Sequence, residues 1–514
     1  MLAWLFSGFM VITLVFSFGL VIYRLPLLKA RNELDSWVSR EAAFLLNNWI
    51  LLFSAMFVLF ATMFPTISEA LTGDRLSVGP PFFTKWMLPI GLVLLLLTGL
   101  GPLLAWRKTT VTNLRDQFMW PTIAGVVTTL GLVAVGLTVW GSLVCFALSA
   151  FTTATIVQEF WRGGMVRSKN TGTDVVTAII GLVGRNKRRY GGYIVHMGIV
   201  LMFFGFAGEG YKRDEQVLLK PGQQTTIGRY TLRNDGVKVT DDGQKQMVTG
   251  HIAVFEKGKQ IDTMYPAKWF YRKHEEQPTS EVAIRRGMAE DLYLVLPAFE
   301  LQDQSVSLQI VINPLVDWIW VGFGVMALGT GIALLPEGAY SFAVAKAPAG
   351  SVTAGLLLCL LLAPVALRAQ EGSASQNVSP VQRSELRRQL EGDLMCMCGC
   401  RAPMNNCPMG PSCHGLKDQQ PKLEAYIAKG MTRDEIKAAF AREYGEQILL
   451  EPPNKGFNRL AWAFPYLLGA SGIVLVGLVA TRWTRKDPSA SAPAPAATET
   501  VFDERLDDEL RNLD

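Results

Sequence analysis

The sequence predicts a polytopic α-helical membrane protein of about nine transmembrane helices, with a small external β domain and an external three-helix bundle. Half of its 514 residues are hydrophobic, a composition typical of polytopic membrane proteins. Lys and Arg gather in alternate loops, which orients the helices. Five of the seven cysteines lie between Cys396 and Cys413, and this crowding indicates thiol chemistry or metal binding rather than a disulfide scaffold.

Apolar runs of the length that crosses a bilayer as a helix define the membrane part. The fourth and fifth runs are separated only by a turn near Gly141, and the eighth contains Pro364. The predicted helices span 3–23, 43–64, 87–106, 120–139, 142–161, 190–208, 315–335, 350–369 and 460–481.

The charges of the loops predict the orientation of these helices. The segments 24–42, 107–118 and 162–189 are rich in Lys and Arg, as is the start of the tail at Arg482, whereas the other connections are poor in them. Basic loops stay on the cytoplasmic side. The N-terminus and both soluble segments are therefore predicted to lie outside, and the C-terminus inside.

The soluble segment 209–314 is predicted to be the β domain, because short apolar stretches alternate with turn signals. Its histidines, His251 and His274, are interpreted as solvated or locally bonded residues. The turn signals are Pro221-Gly222, Asn234-Asp235-Gly236, Asp241-Asp242-Gly243 and Glu256-Lys257-Gly258.

The remaining chain is predicted to contain a second soluble domain between two membrane helices. Residues 315–349 form a closing helix and a linker, and 350–369 form a helix that ends like a secretory signal peptide. The domain covers 370–459, a last membrane helix covers 460–483, and the Ala/Pro/Ser-rich residues 484–514 form a disordered cytoplasmic tail.

Three helices are predicted in this second domain. Thr432 and Glu435 form a capping box before an apolar helix, and helices are also expected over 384–394 and 421–429. The cysteines follow the first helix.

His196 is the candidate ligand of the membrane part. It lies about 10 Å along the helix axis from Arg189, inside an apolar run. A neutral imidazole at that depth is a candidate ligand for metal or haem iron, and the alternative is a hydrogen bond to the next helix. Gly191, Gly192 and Gly198 flank it and would admit a neighbouring helix or a flat ligand.

Two ordered sets of motifs resemble proteins of cytochrome c maturation. Residues 36–336 resemble the C-terminal half of CcmF, the haem-handling membrane protein, and 381–483 resemble CcmH, its thiol-active partner. The first set is Ser39–Asn48, Ser77–Phe82, Tyr193–His196, Glu281–Ile284 with Asp291–Tyr293, and Asn313–Trp320. The second set is Lys429–Thr432, Arg442–Glu446, Leu449–Pro453 and Trp462–Pro465.

The resemblance implies that residues 1–208 hold the membrane helices of the CcmF-like half and that His196 binds a b-type haem. In CcmF this haem lies between two transmembrane histidines, and this sequence has no second one. It also has no tryptophan-rich haem segment. The haem is therefore expected to be shared with a separate chain that carries the N-terminal half of CcmF with that segment.

The cysteines follow the CcmH pattern only in part. Leu394-Met-Cys396 fits the start of L-x-C-x-x-C, but the cysteines then run Cys396, Cys398 and Cys400. Exchange of thiols and disulfides needs two close thiols. Cys396 is expected to be one reacting thiol, with Cys400 or Cys398 as the other. A disulfide between Cys396 and Cys398 would close a tight C-x-C ring, so Cys400 is the easier partner to bridge.

Other roles of the cysteines remain open. The five cysteines and His414 could bind zinc, or Cys407 and Cys413 could form a structural disulfide. A c-haem attachment site is rejected, because residue 410 is Gly and one thioether sulfur is missing. Cys145 and Cys359 lie in apolar helices and are interpreted as inert.

The resemblance implies a subunit of the haem lyase that attaches haem to the CxxCH motifs of apocytochrome c, with a fused domain that reduces or presents thiols. It would act as part of a multi-subunit enzyme in the bacterial inner membrane, with both soluble domains in the periplasm. The expected partners are a haem chaperone, apocytochrome c, a thiol reductant protein and membrane lipid, with no nucleic acid. The alternative is a non-catalytic assembly scaffold with structural or zinc-bound cysteines.

Overall fold

The computed structural model of the chain describes residues 2–28, 36, 38–73, 76–104, 111–272, 278–335, 385–400, 402–407 and 413–484. The chain separates into two units, one of residues 38–468 and one of 1–37 with 469–514. The smaller unit contains α1 (Leu2–Leu28) and the part of the last helix, α12 (Arg459–Thr484), from Gly469 onward.

The larger unit contains the remaining helices. Those of the apolar part are α2 (Arg40–Thr72), α3 (Pro80–Leu100), α4 (Val111–Ala134), α5 (Trp140–Thr171), α6 (Val175–Arg185), α7 (Lys187–Ala207) and α8 (Asp317–Leu334). Those of the cysteine-containing part are α9 (Glu385–Asp393), α10 (His414–Ala428) and α11 (Arg433–Tyr444), followed by the start of α12.

Six helices within the described ranges are long and apolar enough to cross a membrane. They coincide with six of the nine predicted runs. Helices α1 and α12 occupy the first and ninth runs, although the apolar stretch recognised in α1, Gly8–Arg24, is shorter. The predicted helix 350–369 lies outside the described residues, as do the linker after residue 335 and the tail after residue 484.

The basic segment 162–189, predicted as a loop, is largely helical. Helix α5 continues to Thr171 and ends at Gly172, which has a positive φ of 70°. Helix α6 then begins after Asp174, whose carboxylate accepts a hydrogen bond from the backbone N–H of Thr177 at 3.1 Å. Charge patterning identifies a polar surface but does not distinguish a loop from an amphipathic helix, which is why this prediction was wrong.

A seam of glycines joins α7 to α8. A Cβ atom added to Gly198 would lie 2.6 Å from the carbonyl oxygen of Gly322, and one added to Gly191 would lie 2.9 Å from that of Gly329. Only glycine permits such a close approach of two helix backbones. At Gly192 the added atom would meet nothing within 4 Å among the described residues, so no helix packs closely against α7 at this position.

Residues 213–314 form a two-sheet β domain of ten strands, as predicted. One sheet has the order β1 (Arg213–Leu219), β10 (Val306–Pro314), β9 (Glu290–Phe299), β8 (Ala283–Arg285). The other runs β2 (Gln224–Ile227), β3 (Tyr230–Asp241), β4 (Lys245–Glu256), β6 (Ala267–Tyr271), β7 (Thr279–Glu281), with β5 (Lys259–Met264) paired to β4. All pairs are antiparallel, and the core between the sheets is aliphatic, with Leu232, Ile252 and Leu294 fully buried.

Asn234-Asp235-Gly236, predicted as a turn between strands, lies inside β3 instead. The pairing of β3 with β4 shifts between Asn234 and Val237, which is a β-bulge. The buried Asn234 amide donates to the carbonyl oxygen of Leu219 at 3.0 Å, and its side-chain oxygen accepts from the N–H of Gly236 at 2.9 Å. A bulge and a turn both select Asn and Gly, so the local signal does not separate them.

The cysteine-containing module packs α9, α10 and α11 around Leu390, Leu423 and Phe440. The predicted capping box of Thr432 and Glu435 begins α11. Helix α10, however, begins at His414, seven residues before the predicted start at Pro421. Proline removes one backbone donor inside a helix. Burial of one face of α10, which includes Leu416 and Leu423, offsets this loss.

The connection between α2 and α3 contacts the cysteine-containing module. The N–H of Gly79 donates to the carbonyl oxygen of Leu450 at 2.7 Å, and a Cβ atom at Gly79 would lie 3.0 Å from that of Leu450. The Ser77 hydroxyl lies 3.7 Å from the sulfur of Met395, the residue before the first clustered cysteine. This contact attaches the cysteine segment to the apolar helices.

Candidate functional site

The cysteine segment is anchored at both of its ends by backbone hydrogen bonds. The N–H of Met395 donates to the carbonyl oxygen of Ile448 at 2.7 Å, and the N–H of Cys396 donates to that of Ala402 at 2.9 Å. Gly399, with φ of 92°, makes the turn between Cys398 and Cys400. The turn brings their sulfur atoms to within 2.9 Å of each other.

Helix α10 supports the segment from the other side. The fully buried side chain of Gln419 accepts a hydrogen bond from the N–H of Met397 at 3.1 Å and donates to the carbonyl oxygen of Met395 at 3.0 Å. A Cβ atom at Gly415 would lie 2.8 Å from the backbone nitrogen of Cys398. Neither residue was predicted as part of the site, because this contact is not local in sequence.

All five clustered cysteines come together. The Sγ atoms of Cys396 and Cys413 are 3.4 Å apart, and Cys407 lies 3.8 Å from Cys398 and 3.9 Å from Cys400. The Sγ atoms of four of them, all but Cys400, lie within 4.8 Å of one another. The three predicted reacting cysteines and the two predicted to form a structural disulfide therefore belong to one cluster.

Accessibility divides the five thiols. Cys396 is 1% exposed and Cys413 is 0% exposed, whereas Cys398, Cys400 and Cys407 are partly exposed. A large substrate can therefore reach only the second group without a rearrangement. Cys396 and Cys413 contribute to the core of the module as well as to the cluster.

The environments of the thiols also affect their ionisation. Burial raises the pKa of Cys396, and it likewise raises that of Cys400. Burial opposes ionisation of Cys398 as well, but hydrogen bonds from the thiol and backbone N–H of Cys400 outweigh it and lower the pKa of Cys398 to about 6. The negative charge of the reduced cluster is therefore concentrated on Cys398.

Two other residues lie close to the cluster in sequence or in space. His414, a predicted zinc ligand, is exposed and is not one of the four mutually close donors. Lys268 of β6 is buried, and its ammonium donates to the carbonyl oxygen of Pro297 at 2.6 Å. Burial lowers the pKa of Lys268, and interaction with Cys407 raises it, so the β domain contributes a positive charge beside the thiols.

His196 lies on α7 with its Nδ1 atom buried and without a hydrogen-bond partner among the described residues. The predicted alternative, a hydrogen bond to the next helix, is not seen at this nitrogen. Gly192 lies one turn earlier on the same face and has open space beside it. An unpaired buried nitrogen is unfavourable, so this imidazole has a polar atom whose partner the described residues do not supply.

Sequence reasoning missed a polar group on another face of α7. The Glu159 carboxylate accepts hydrogen bonds from the guanidinium of Arg189 at 3.1 Å and from the hydroxyl of Tyr193 at 3.2 Å. The four-residue spacing of Arg189 and Tyr193 is the signal that could have indicated it. An apolar cavity of about 280 Å³ lies beside Tyr193 and Met197, and His196 is not among its lining residues.

Two family profiles match separate parts of the chain. Residues 210–314 match the family described as the CcmF C-terminal beta-sandwich. Residues 356–508 match the CcmH family, described as a cytochrome c biogenesis protein.

Whole-chain comparisons give similar proteins for the first part. The cytochrome c-type biogenesis protein CcmF of Pseudomonas aeruginosa is 28% identical over 331 residues, which are 64% of this chain and 48% of that protein. CcmF of Escherichia coli is 26% identical over 329 residues, or 63% and 47%. A solved structure of the cytochrome c haem lyase CcmF matches with a TM-score of 0.50 and 25% identity, covering 59% of this chain and 46% of that one. The chain spans about half the length of the curated relatives it matches.

Proposed function

Since this chain joins a CcmF C-terminal β-sandwich to a CcmH-type domain, we propose that it acts in cytochrome c biogenesis as part of the haem lyase. Its role would be to handle haem and to help attach it to the CxxCH motifs of apocytochrome c. The observation that carries this proposal is the buried, unpaired Nδ1 atom of His196 in an apolar helix of the CcmF-like part. Such a histidine is a functional residue by default.

The residues near His196 fit a haem ligand. The imidazole supplies a nitrogen donor, the open side at Gly192 leaves room on the same face, and α8 holds α7 in place through the glycine seam. A b-type haem, when bound, would relay electrons from a reductant outside this chain, which would keep the delivered haem iron in the ferrous state. His196 would hold it from one side, and the second donor would come from a polypeptide outside these 514 residues.

The first test is the variant His196→Ala, purified with the polypeptide that carries the rest of CcmF. We expect loss of the b-haem absorbance, because the axial donor is removed. The matched control is His251→Ala, which changes a half-buried histidine of the β domain that contacts Tyr265. A His196→Ala protein that keeps its full haem absorbance would disprove the ligand assignment.

The CcmH-type part would reduce the client. The partly exposed Cys398 attacks a disulfide of the apocytochrome CxxCH motif, forming a mixed disulfide and releasing one client thiol. Cys400 then forms the Cys398–Cys400 disulfide and releases the second client thiol; this C-x-C ring is tight, but the turn at Gly399 already brings the two sulfur atoms to 2.9 Å. A thiol reductant protein supplies the two electrons that restore the pair. Cys396, the predicted first thiol, is too buried to meet a client before the cluster opens.

The second test is capture of an oxidised CxxCH peptide. Removal of the resolving thiol in Cys400→Ser should make the mixed disulfide accumulate, whereas Cys398→Ser should abolish capture. Cys145→Ser is the control, since this thiol lies in α5 away from the cluster. Equal capture by Cys398→Ser and the unchanged protein would remove Cys398 from the first step.

A non-catalytic scaffold is the second candidate function. The burial of Cys396 and Cys413 in the core of their module favours it, because buried cysteines are often structural. In that case peptide capture would be absent from every variant, while binding of the partner polypeptide would remain.

A further inference from the structure

We propose that Cys396, Cys398, Cys407 and Cys413 form a tetrathiolate site for a soft d¹⁰ cation, with zinc(II) as its expected occupant. This goes beyond the proposed role in haem attachment and does not depend on it. Zinc in structural sites takes four thiolates at about 2.3 Å in a tetrahedron, which places the sulfur atoms about 3.8 Å apart. The observed Sγ distance of 3.8 Å for Cys398–Cys407 equals this spacing, that of 3.4 Å for Cys396–Cys413 is shorter, and all four atoms lie within 4.8 Å of one another.

The protein builds the site from three chain segments, and the segment of Cys396 and Cys398 is fixed to that of Cys413. Cys396 and Cys398 lie on the segment in which Met395 and Met397 are hydrogen-bonded to the side chain of Gln419. Cys413 is the N-cap residue of α10. The contact of Gly415 with the backbone of Cys398 fixes the distance between the two segments. Three of the four donors, Cys396, Cys398 and Cys413, are therefore held in position without a disulfide, as a metal site of defined geometry requires.

The electrostatic surroundings suit a negatively charged metal centre. Four thiolates and one zinc ion carry a net charge of minus two, which needs nearby positive charge. The buried ammonium of Lys268 interacts with Cys407. The N-terminus of α10, a helix of 15 residues, also faces the cluster, and helix N-termini carry partial positive charge.

The reactivity of Cys400, the fifth thiol of the cluster, distinguishes a zinc site from a set of disulfides. Cys400 lies 2.9 Å from Cys398 and 3.9 Å from Cys407, but it is outside the group of four that are mutually close. It is also partly exposed. The zinc-bound form should therefore leave Cys400 reactive while the four ligands are protected, and thiol exchange through Cys398 would require release of the metal.

The experiment measures metal on the full-length chain, purified in detergent under a phosphine reductant. Zinc per chain is determined after removal of unbound metal, and cobalt(II) serves as the spectroscopic probe. We expect one zinc per chain, and with cobalt the thiolate charge-transfer and ligand-field bands of a tetrahedral sulfur site. A chain that binds no zinc and gives no such cobalt bands overturns the proposal.

Variants identify the donors. The double variant Cys398→Ser with Cys407→Ser replaces two partly exposed ligands with little disturbance of the core. This variant should abolish zinc and cobalt binding. The control double variant, Cys145→Ser with Cys400→Ser, should retain zinc and cobalt binding. Retention of zinc by the first double variant overturns the assignment. The b-haem absorbance that tests His196 is measured independently of the zinc content. A chain without zinc that keeps its haem absorbance would contradict the metal site and leave the haem proposal standing.

Discussion

At the scale of single residues, the side chains that support the cysteines matter as much as the cysteines. The fully buried side chain of Gln419 accepts a hydrogen bond from the N–H of Met397 and donates one to the carbonyl oxygen of Met395. Asp393, which begins the segment, is 3% exposed and accepts two hydrogen bonds from Arg433 at 2.6 and 2.8 Å. Buried groups of this kind are costly to leave unpaired. The cysteine positions therefore depend on residues that carry no thiol chemistry.

The variant Gln419→Ala tests this dependence. It leaves one part-buried N–H and one buried carbonyl oxygen unpaired, which destabilises the segment by about 1–3 kcal/mol. We expect local opening, measured as faster alkylation of Cys396 under native conditions. Gln447→Ala is the control, because Gln447 is exposed and makes only a long hydrogen bond of 3.4 Å to Tyr444. Equal alkylation rates in the two variants would contradict the supporting role of Gln419.

At the scale of secondary structure elements, the glycines of α7 divide by function. Gly191 and Gly198 face α8, whereas Gly192 faces open space on the side of His196. The sequence predicted both uses, a neighbouring helix and a flat ligand, but composition alone did not assign each glycine to one of them. That assignment depends on the partner helix, which lies more than a hundred residues later in the chain.

Matched alanine variants separate the two glycine faces. In Gly198→Ala the added methyl group would meet the backbone of α8 at 2.6 Å, so the helices must move apart, at a cost of about 1–3 kcal/mol. In Gly192→Ala the methyl group meets no described atom within 4 Å, so the fold should be unaffected. We expect a lower thermal unfolding midpoint in detergent for Gly198→Ala alone. Equal midpoints would show that the seam is not tightly packed.

The elements that could be predicted from the sequence are those with local signals. Six membrane helices follow from apolar runs, and the start of α11 follows from its capping box. The bulge at Asn234 and the early start of α10 could not be predicted, and the sequence left open whether Cys407 and Cys413 join Cys396 or pair with each other. Each depends on contacts between segments distant in sequence, for which spacing and periodicity carry no information.

At the scale of the whole molecule, the CcmF-like and CcmH-like parts are in direct contact. Gly79, between α2 and α3, is hydrogen-bonded to Leu450, and Lys268 of the β domain interacts with Cys407. Aromatic stacking of Phe60 on Phe464, at 3.7 Å between ring centres, adds an apolar contact. The cysteine-containing module is thus attached to the connection between α2 and α3. Thioether formation needs thiols and haem in register, which is a physical reason for joining these parts.

The histidine content of the whole molecule determines how the isolated chain should bind haem. Its four histidines are His196, His251, His274 and His414, and within the residues that the structure describes only His196 lies in a helix long and apolar enough to cross the membrane. The spectrum of a six-coordinate low-spin haem needs two strong axial donors, of which His196 would supply one. We therefore expect the isolated chain to bind added haem weakly and without that spectrum.

Addition of the polypeptide that carries the N-terminal half of CcmF should restore the low-spin spectrum, which absorbance of the reduced complex measures. The control is the same complex with His196→Ala, which should remain without it although both polypeptides are present. A low-spin spectrum from the isolated chain would mean that both axial donors come from these 514 residues. The haem would then have to be held by a second donor other than a transmembrane histidine, and the need for an outside polypeptide at this site would be refuted.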